Sequence, residues 1–138
     1  MTEFNDQGPL GGLTPHLGIP DNRAAEAIGF YAKAFDANEL LRMPADDGKR
    51  LLHAHLRINE GSLMLADDFP EYRGHPMGAP NGVSLHLQVD DADAWFDRAI
   101  AAGCTVAMPL ADMFWGDRYG QVTDPFGHSW SIGAEIAK

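Results

Sequence analysis

Two stretches of this 138-residue sequence, 70 positions apart, carry one pattern. Thr14-Pro15-His16-Leu17-Gly18-Ile19-Pro20-Asp21 and Ser84-Leu85-His86-Leu87-Gln88-Val89-Asp90-Asp91 share His-Leu-x-(Ile/Val)-x-Asp. A helix-like stretch follows each. The first, Arg23 to Phe35, is rich in Ala and carries Ile28, Phe30, Tyr31 and Phe35. The second, Ala92 to Ala102, carries Trp95, Phe96 and Ile100. Phe30-Tyr31 matches Trp95-Phe96, and Met43-Pro44 matches Met108-Pro109, both at an offset of 65. A repeat of this length is too long for a solenoid unit, so it reads as a duplicated supersecondary module.

Each module opens with a strand, Leu13 to Ile19 or Val83 to Val89. Asp21 and Asp91 stand where a helix N-cap is expected, since a carboxylate there accepts from the free N–H groups of the first turn. Three strands then follow each helix. In the first copy they are Glu39 to Met43, Arg50 to Ile58 and Ser62 to Ala66, divided by Asp46-Asp47-Gly48 and Asn59-Glu60-Gly61. In the second they are Thr105 to Met108, Arg118 to Thr123 and His128 to Ile132, the last two divided by Asp124-Pro125-Phe126-Gly127. The predicted chain is a tail over residues 1–12, a first module over about 13–67, a Pro/Gly-rich linker over about 68–81 and a second module over about 82–134. Residues 13–138 thus form one α+β domain of two βαβββ modules.

Alternation along the strands separates an apolar face from a polar one. Val83, Leu85, Leu87 and Val89 oppose Ser84, His86 and Gln88; Leu52, Ala54, Leu56 and Ile58 oppose His53, His55 and Arg57. Four of the six histidines therefore lie on polar strand faces. Neutral imidazole is a common ligand for zinc, nickel, manganese and iron. His16 and His86, at equivalent positions of the repeat, are candidate metal ligands, with His53, His55 or a carboxylate completing the set. The alternative is a set of pocket histidines bonded to their neighbours.

Phe114-Trp115-Gly116-Asp117-Arg118-Tyr119-Gly120 forms a second constellation. Aromatic walls beside a few charged groups are what a small-molecule pocket needs. Trp115, Asp117, Arg118, Tyr119 and Trp130 are therefore candidate ligand-binding residues, together with His53 and His55. The sequence lacks a phosphate-binding glycine loop, a G-x-S-x-G elbow and an H-E-x-x-H helix.

Ten Lys and Arg against twenty Asp and Glu leave a formal charge of −10. That balance excludes nucleic acid and anionic membrane surfaces as expected partners, because both are bound through clustered Lys and Arg. A cationic small ligand is compatible with it. The single cysteine, Cys104, precludes an internal disulfide and sits in an apolar stretch as a core residue. With no signal-like start and no membrane-length apolar run, the expected location is the cytoplasm.

Leu13-Thr14-Pro15-His16-Leu17, Gly29 to Phe35, His53 to Ile58, Leu63 to Asp67, Phe114 to Gly120 and Asp124 to Ile132 together resemble the vicinal oxygen chelate superfamily, which includes glyoxalase I, bleomycin-resistance proteins and extradiol dioxygenases. The PhnB-like branch is the most similar. The resemblance covers nearly all of the chain after residue 12. It implies an open, cleft-containing mixed β-barrel built from the two modules, and a homodimer. The usual ligand positions of metal-using members fall here on Thr14 and Ser84, two residues before His16 and His86. Ser131 stands where glyoxalase-like members carry a glutamate, so glyoxalase I activity itself is not expected.

Two functions follow as expectations. One is a metal-dependent lyase, isomerase or dioxygenase that holds a substrate through vicinal oxygens, with a divalent ion on His16, His86 and His55. The other is a metal-free protein of the bleomycin-resistance type that binds a cationic drug or metabolite. Methyl transfer has no adenosylmethionine motif to support it.

Overall fold

A computed structural model describes residues 8–136; the rest of the expected tail, residues 1–7, lies outside the described residues. The first repeat forms β1 (His16–Ile19), α1 (Ala24–Phe35), β2 (Asn38–Pro44), β3 (Leu51–Ile58) and β4 (Gly61–Asp67). A short helix, α2 (Pro70–Arg73), lies in the stretch read as a linker. The second repeat forms β5 (Ser84–Gln88), α3 (Ala92–Ala102), β6 (Thr105–Asp112), β7 (Asp117–Thr123) and β8 (Ser129–Glu135). Among the described residues, one compact unit takes 8–32 and 36–78, and the other takes 33–35 and 79–136.

The duplication is exact at the level of topology. The first sheet has the order β1-β4-β3-β2 and the second β5-β8-β7-β6. In each, the opening strand pairs in parallel with the last strand of its repeat, and the other pairs are antiparallel. The sheets are open and are not closed into a barrel. Four strands are too few to close on themselves, since about eight are needed to leave room for side chains inside.

One face of each sheet is the core. In the first unit Leu17, Ile19, Ala54, Leu56, Leu63 and Leu65 are buried. In the second, Leu87, Val122, Trp130, Ile132 and Ala134 are buried, with Phe96 and Ala99 of α3. Gly120 of β7 lets α3 approach, because a Cβ there would lie 2.8 Å from the Phe96 ring and 3.0 Å from the Met108 carbonyl oxygen. Cys104 is buried as expected, and burial, then Asp124, pushes its thiol up to about 12.

The two helices start differently despite the repeat. Asp91 is extended and its carboxylate accepts from the Ala94 amide at 3.1 Å, so it caps α3 as predicted. Asp21 does not cap α1. Asp21 and Asn22 both have left-handed backbone, at φ 62° and 60°, whereas an N-cap residue needs extended geometry. Asp67, at the end of β4, takes over. Its buried carboxylate accepts from the amide of Ala24 at 2.9 Å and from that of Leu51 at 2.7 Å. One side chain therefore ties α1 and β3 to β4.

Candidate functional site

The other face of each sheet carries the chemistry, and register decides which residues meet. In the first unit His16, Met64, His55 and Leu41 form one row across β1, β4, β3 and β2. His53 lies two residues along β3, and its ring stacks on that of His16 with centroids 6.0 Å apart. Burial, followed by the neighbouring charges of His16 and His55, holds the His53 imidazole below its ordinary value. His55 is fully buried. Its Nε2 lies 3.0 Å from Nη1 of Arg57, and a guanidinium can only donate. Nε2 is therefore the acceptor, and the ring is held as the Nδ1–H tautomer.

In the second unit the rows are Ser84, Ser129, Thr123 and Thr105; His86, Ser131, Gln121 and Met108; and Gln88, Gly133, Tyr119 and Ala111. Hydrogen bonds link these side chains into a network. His86 Nδ1 lies 2.7 Å from Ser131 Oγ and its Nε2 lies 2.7 Å from Gln88 Oε1. One neutral tautomer satisfies both: Nε2–H donates to Gln88, and Nδ1 accepts from the serine hydroxyl. Gln121 Nε2 donates to the Tyr119 hydroxyl at 3.0 Å. Gly133 makes room for this arrangement, because a Cβ there would stand 3.0 Å from His86 Cε1 and 3.3 Å from Gln88 Oε1.

Rings continue outward from this network. His86 stacks on Tyr119 at 5.9 Å, Trp115 meets Tyr119 edge-on at 5.4 Å, and Phe114 meets Trp115 at 5.1 Å. The tight turn between β6 and β7, closed by Gly116 with φ 102°, presents the outer two rings. Phe114 is 97% exposed and Trp115 51% exposed. One step along from the Gly133–Tyr119 pair, on the same face, Glu135 stands directly opposite Asp117. This pairing puts two acidic residues at the end of the sheet that carries the rings.

The remaining candidates sit elsewhere. Arg118 alternates to the helix-side face and bonds Asp93 at 2.9 Å and Asp112 at 3.2 Å. The hydrogen bonds of that pairing hold the Asp93 carboxyl low and the guanidinium high. Arg118 thus sits in a recess of about 290 Å³ lined also by Asp90, Asp91, Asp93, Asp112 and Glu135. Trp130 is 2% exposed. It packs on Phe35 at 4.5 Å and donates from Nε1 to Asp124 at 2.9 Å, which is a core role. Gln121 and Gly133 are not among the residues the sequence singles out, and Ser131 enters there only at the family's glutamate position, although alternation along β7 and β8 places all three beside His86.

His86 and His55, two of the expected metal ligands, are each hydrogen-bonded within their own unit. Both ring nitrogens of His86 are engaged, and the Nε2 lone pair of His55 points at a cation. Among the described residues, no three His, Cys, Asp or Glu side chains are grouped as a metal site.

Two repeated βαβββ units, each with one polar and one buried sheet face, define a paired-module α+β protein. Residues 14–132 match the Glyoxalase/Bleomycin resistance protein/Dioxygenase superfamily, and the chain belongs to it. An uncharacterized protein of Mycobacterium tuberculosis is 53% identical over 129 residues, covering 90% of this chain and 74% of that one. Among solved structures, PA1353 of Pseudomonas aeruginosa is 29% identical with a TM-score of 0.70, covering 89% of this chain and 96% of its own. A PhnB protein of Bacillus cereus shares the fold at 21% identity and a TM-score of 0.71, over 90% of this chain and 99% of its own. Among the described residues, no helix is long and apolar enough to cross a membrane.

Proposed function

We propose that this protein binds a planar, cationic small molecule on the polar face of its second sheet, without a metal ion. The observation that carries the reading is the ring series Trp115, Tyr119 and His86 running beside the opposed Asp117–Glu135 pair on one face. Aromatic edges and faces give a flat ligand stacking area. A cation over Trp or Tyr is attracted by the ring quadrupole. Asp117, in cross-strand register with Glu135, adds negative charge beside the rings. Gln121, Ser131 and the His86–Gln88 pair supply neutral hydrogen-bonding groups that orient the ligand. The net charge of −10 favours approach of a cation and disfavours an anion.

Tryptophan emission and calorimetry test this with ethidium as the planar cation and fluorescein as the planar anion. Ethidium is expected to quench emission from Trp115, to bind more weakly as salt rises, and to lose about tenfold in affinity in Trp115→Ala. Glu135→Gln is expected to weaken ethidium and not fluorescein. Equal binding of both dyes, or no effect of either substitution, rejects the reading.

A further inference from the structure

The loop that leads into β5 holds the single Asn-Gly pair of the sequence, Asn81-Gly82. Both residues are exposed and lie just before the strand, which starts at Ser84. Gly82 has left-handed backbone at φ 79°, and a Cβ there would meet open space. Among the described residues, neither the Gly82 amide nor the Asn81 side chain has a hydrogen-bond partner. The pair lines a recess of about 330 Å³ whose walls include Ser84 and Ser129 and no charged residue. The other asparagines stand differently. Asn22 precedes Arg23, whose amide already donates to the Pro20 carbonyl at 3.2 Å. Asn38 and Glu39 are both paired to β3, which fixes their backbone. Asn59 precedes Glu60, whose side chain crowds the approach to its amide. Asn5 lies outside the described residues.

We infer that Asn81 is a modification site, at which the folded chain converts its own asparagine to isoaspartate. The Gly82 amide nitrogen loses its proton and attacks Cγ of Asn81. An N–Cγ bond forms, the Cγ–Nδ2 bond breaks, and the side-chain amide leaves as ammonia, completed by the proton that Gly82 lost. The product is a five-membered succinimide. Solvent water then opens the ring. Attack at the backbone carbonyl carbon leaves the chain running through Cβ and Cγ, which is isoaspartate; attack at Cγ gives aspartate. Nothing is oxidised or reduced, and water is the one co-reactant. Ring closure needs the Gly82 nitrogen to swing over Cγ. Glycine adapts to that turn without steric cost, and an exposed loop that breaks no hydrogen bond in moving opens readily. Both products place a carboxylate in a recess that is otherwise uncharged. Isoaspartate also lengthens the main chain by one carbon just ahead of β5, the strand that carries His86 and Gln88. The conversion does not depend on any ligand of the second sheet.

The test incubates the full chain at mildly alkaline pH. Isoaspartate is read by peptide mapping and by methylation with an isoaspartate-specific carboxyl methyltransferase. The peptide carrying Asn81 is expected to lose its unmodified form progressively, and faster as pH rises, because the Gly82 amide must shed its proton. The peptides carrying Asn22, Asn38 and Asn59 are expected to stay unchanged. The rate in the folded protein is expected to match that of the urea-unfolded chain within a few-fold, since the fold holds neither reacting group. Asn81→Gln, whose longer side chain needs a larger ring, is expected to lose the methyl-accepting signal and to keep the circular dichroism of the wild type. Conversion in urea but not in the folded protein overturns the site, because the loop then holds the two groups apart. Equal conversion at Asn22, Asn38 or Asn59, or undiminished methylation of Asn81→Gln, overturns it as well.

Discussion

Asp67 offers the sharpest test of how the first unit is held together. The residue is 4% exposed, and its carboxylate accepts from the amides of Ala24 and Leu51 at 2.9 and 2.7 Å. Asp67→Ala leaves both N–H groups facing a methyl group. An orphaned buried donor costs about 1–3 kcal/mol, and bonds to a carboxylate lie toward the upper end. The pair therefore sums to about 3–4 kcal/mol, a large part of the roughly 5–15 kcal/mol that holds a domain folded. Asp67→Asn keeps one acceptor oxygen and turns an amide N–H toward the second donor, so about half that loss is expected. Urea unfolding followed by circular dichroism measures both. With a slope of about 1–3 kcal/mol per molar urea, Asp67→Ala is expected to lower the midpoint by about 2 M without changing the slope. A loss below about 1 kcal/mol at constant slope refutes the argument, because the two amides would then have found other partners.

Three further outcomes follow from the geometry. Gly133→Ala places a methyl carbon 3.0 Å from His86 Cε1, so the ring is expected to lift off the sheet and lose Ser131 and Gln88; stability changes by about 1 kcal/mol or less, since His86 is exposed and its displaced ring meets solvent. Imidazole 15N shifts of His86 read the change directly, and an unaltered tautomer pattern contradicts it. The Cys104 thiol, pushed up to about 12 by burial and Asp124, carries almost no thiolate at neutral pH. Ellman's reagent is therefore expected to label it about 100-fold faster in urea than in the native protein, and rapid native labelling counts against the buried position. Zinc added to metal-free protein is expected to dialyse away, equally from wild type and from a His16→Ala/His86→Ala variant, because the nitrogens of His86 and His55 are already engaged. One zinc retained per chain and lost in that variant restores a metal site.

Much of the architecture was legible in the sequence because duplication constrains every element twice. The His-Leu-x-(Ile/Val)-x-Asp repeat located β1 and β5, and period-two alternation assigned their faces. Ala92 to Ala102 was read residue for residue, since Asp91 and Gly103 mark its ends chemically. The N-cap of α1 was not legible, because the carboxylate that serves it lies 43 residues away at Asp67. Nor was the full length of β6, which runs on past Pro109 to Asp112; proline is tolerated on an edge strand.

The sequence alone determined the residue types available to the site and the strand faces that carry them: imidazoles on polar faces, aromatics in one turn, and an excess of carboxylate. Tertiary structure decided what those residues do. Parallel pairing of β5 with β8 brings Ser131 to His86 across 45 residues. Alternation along β7 sends Tyr119 to one face and Arg118 to the other, where Asp93 and Asp112 engage it. His53 and His55 share a strand face in the sequence. Only the folded sheet sets one against His16 and the other against Arg57. A hydrogen bond depends on direction and on a few tenths of an ångström, and those are properties of register rather than of composition.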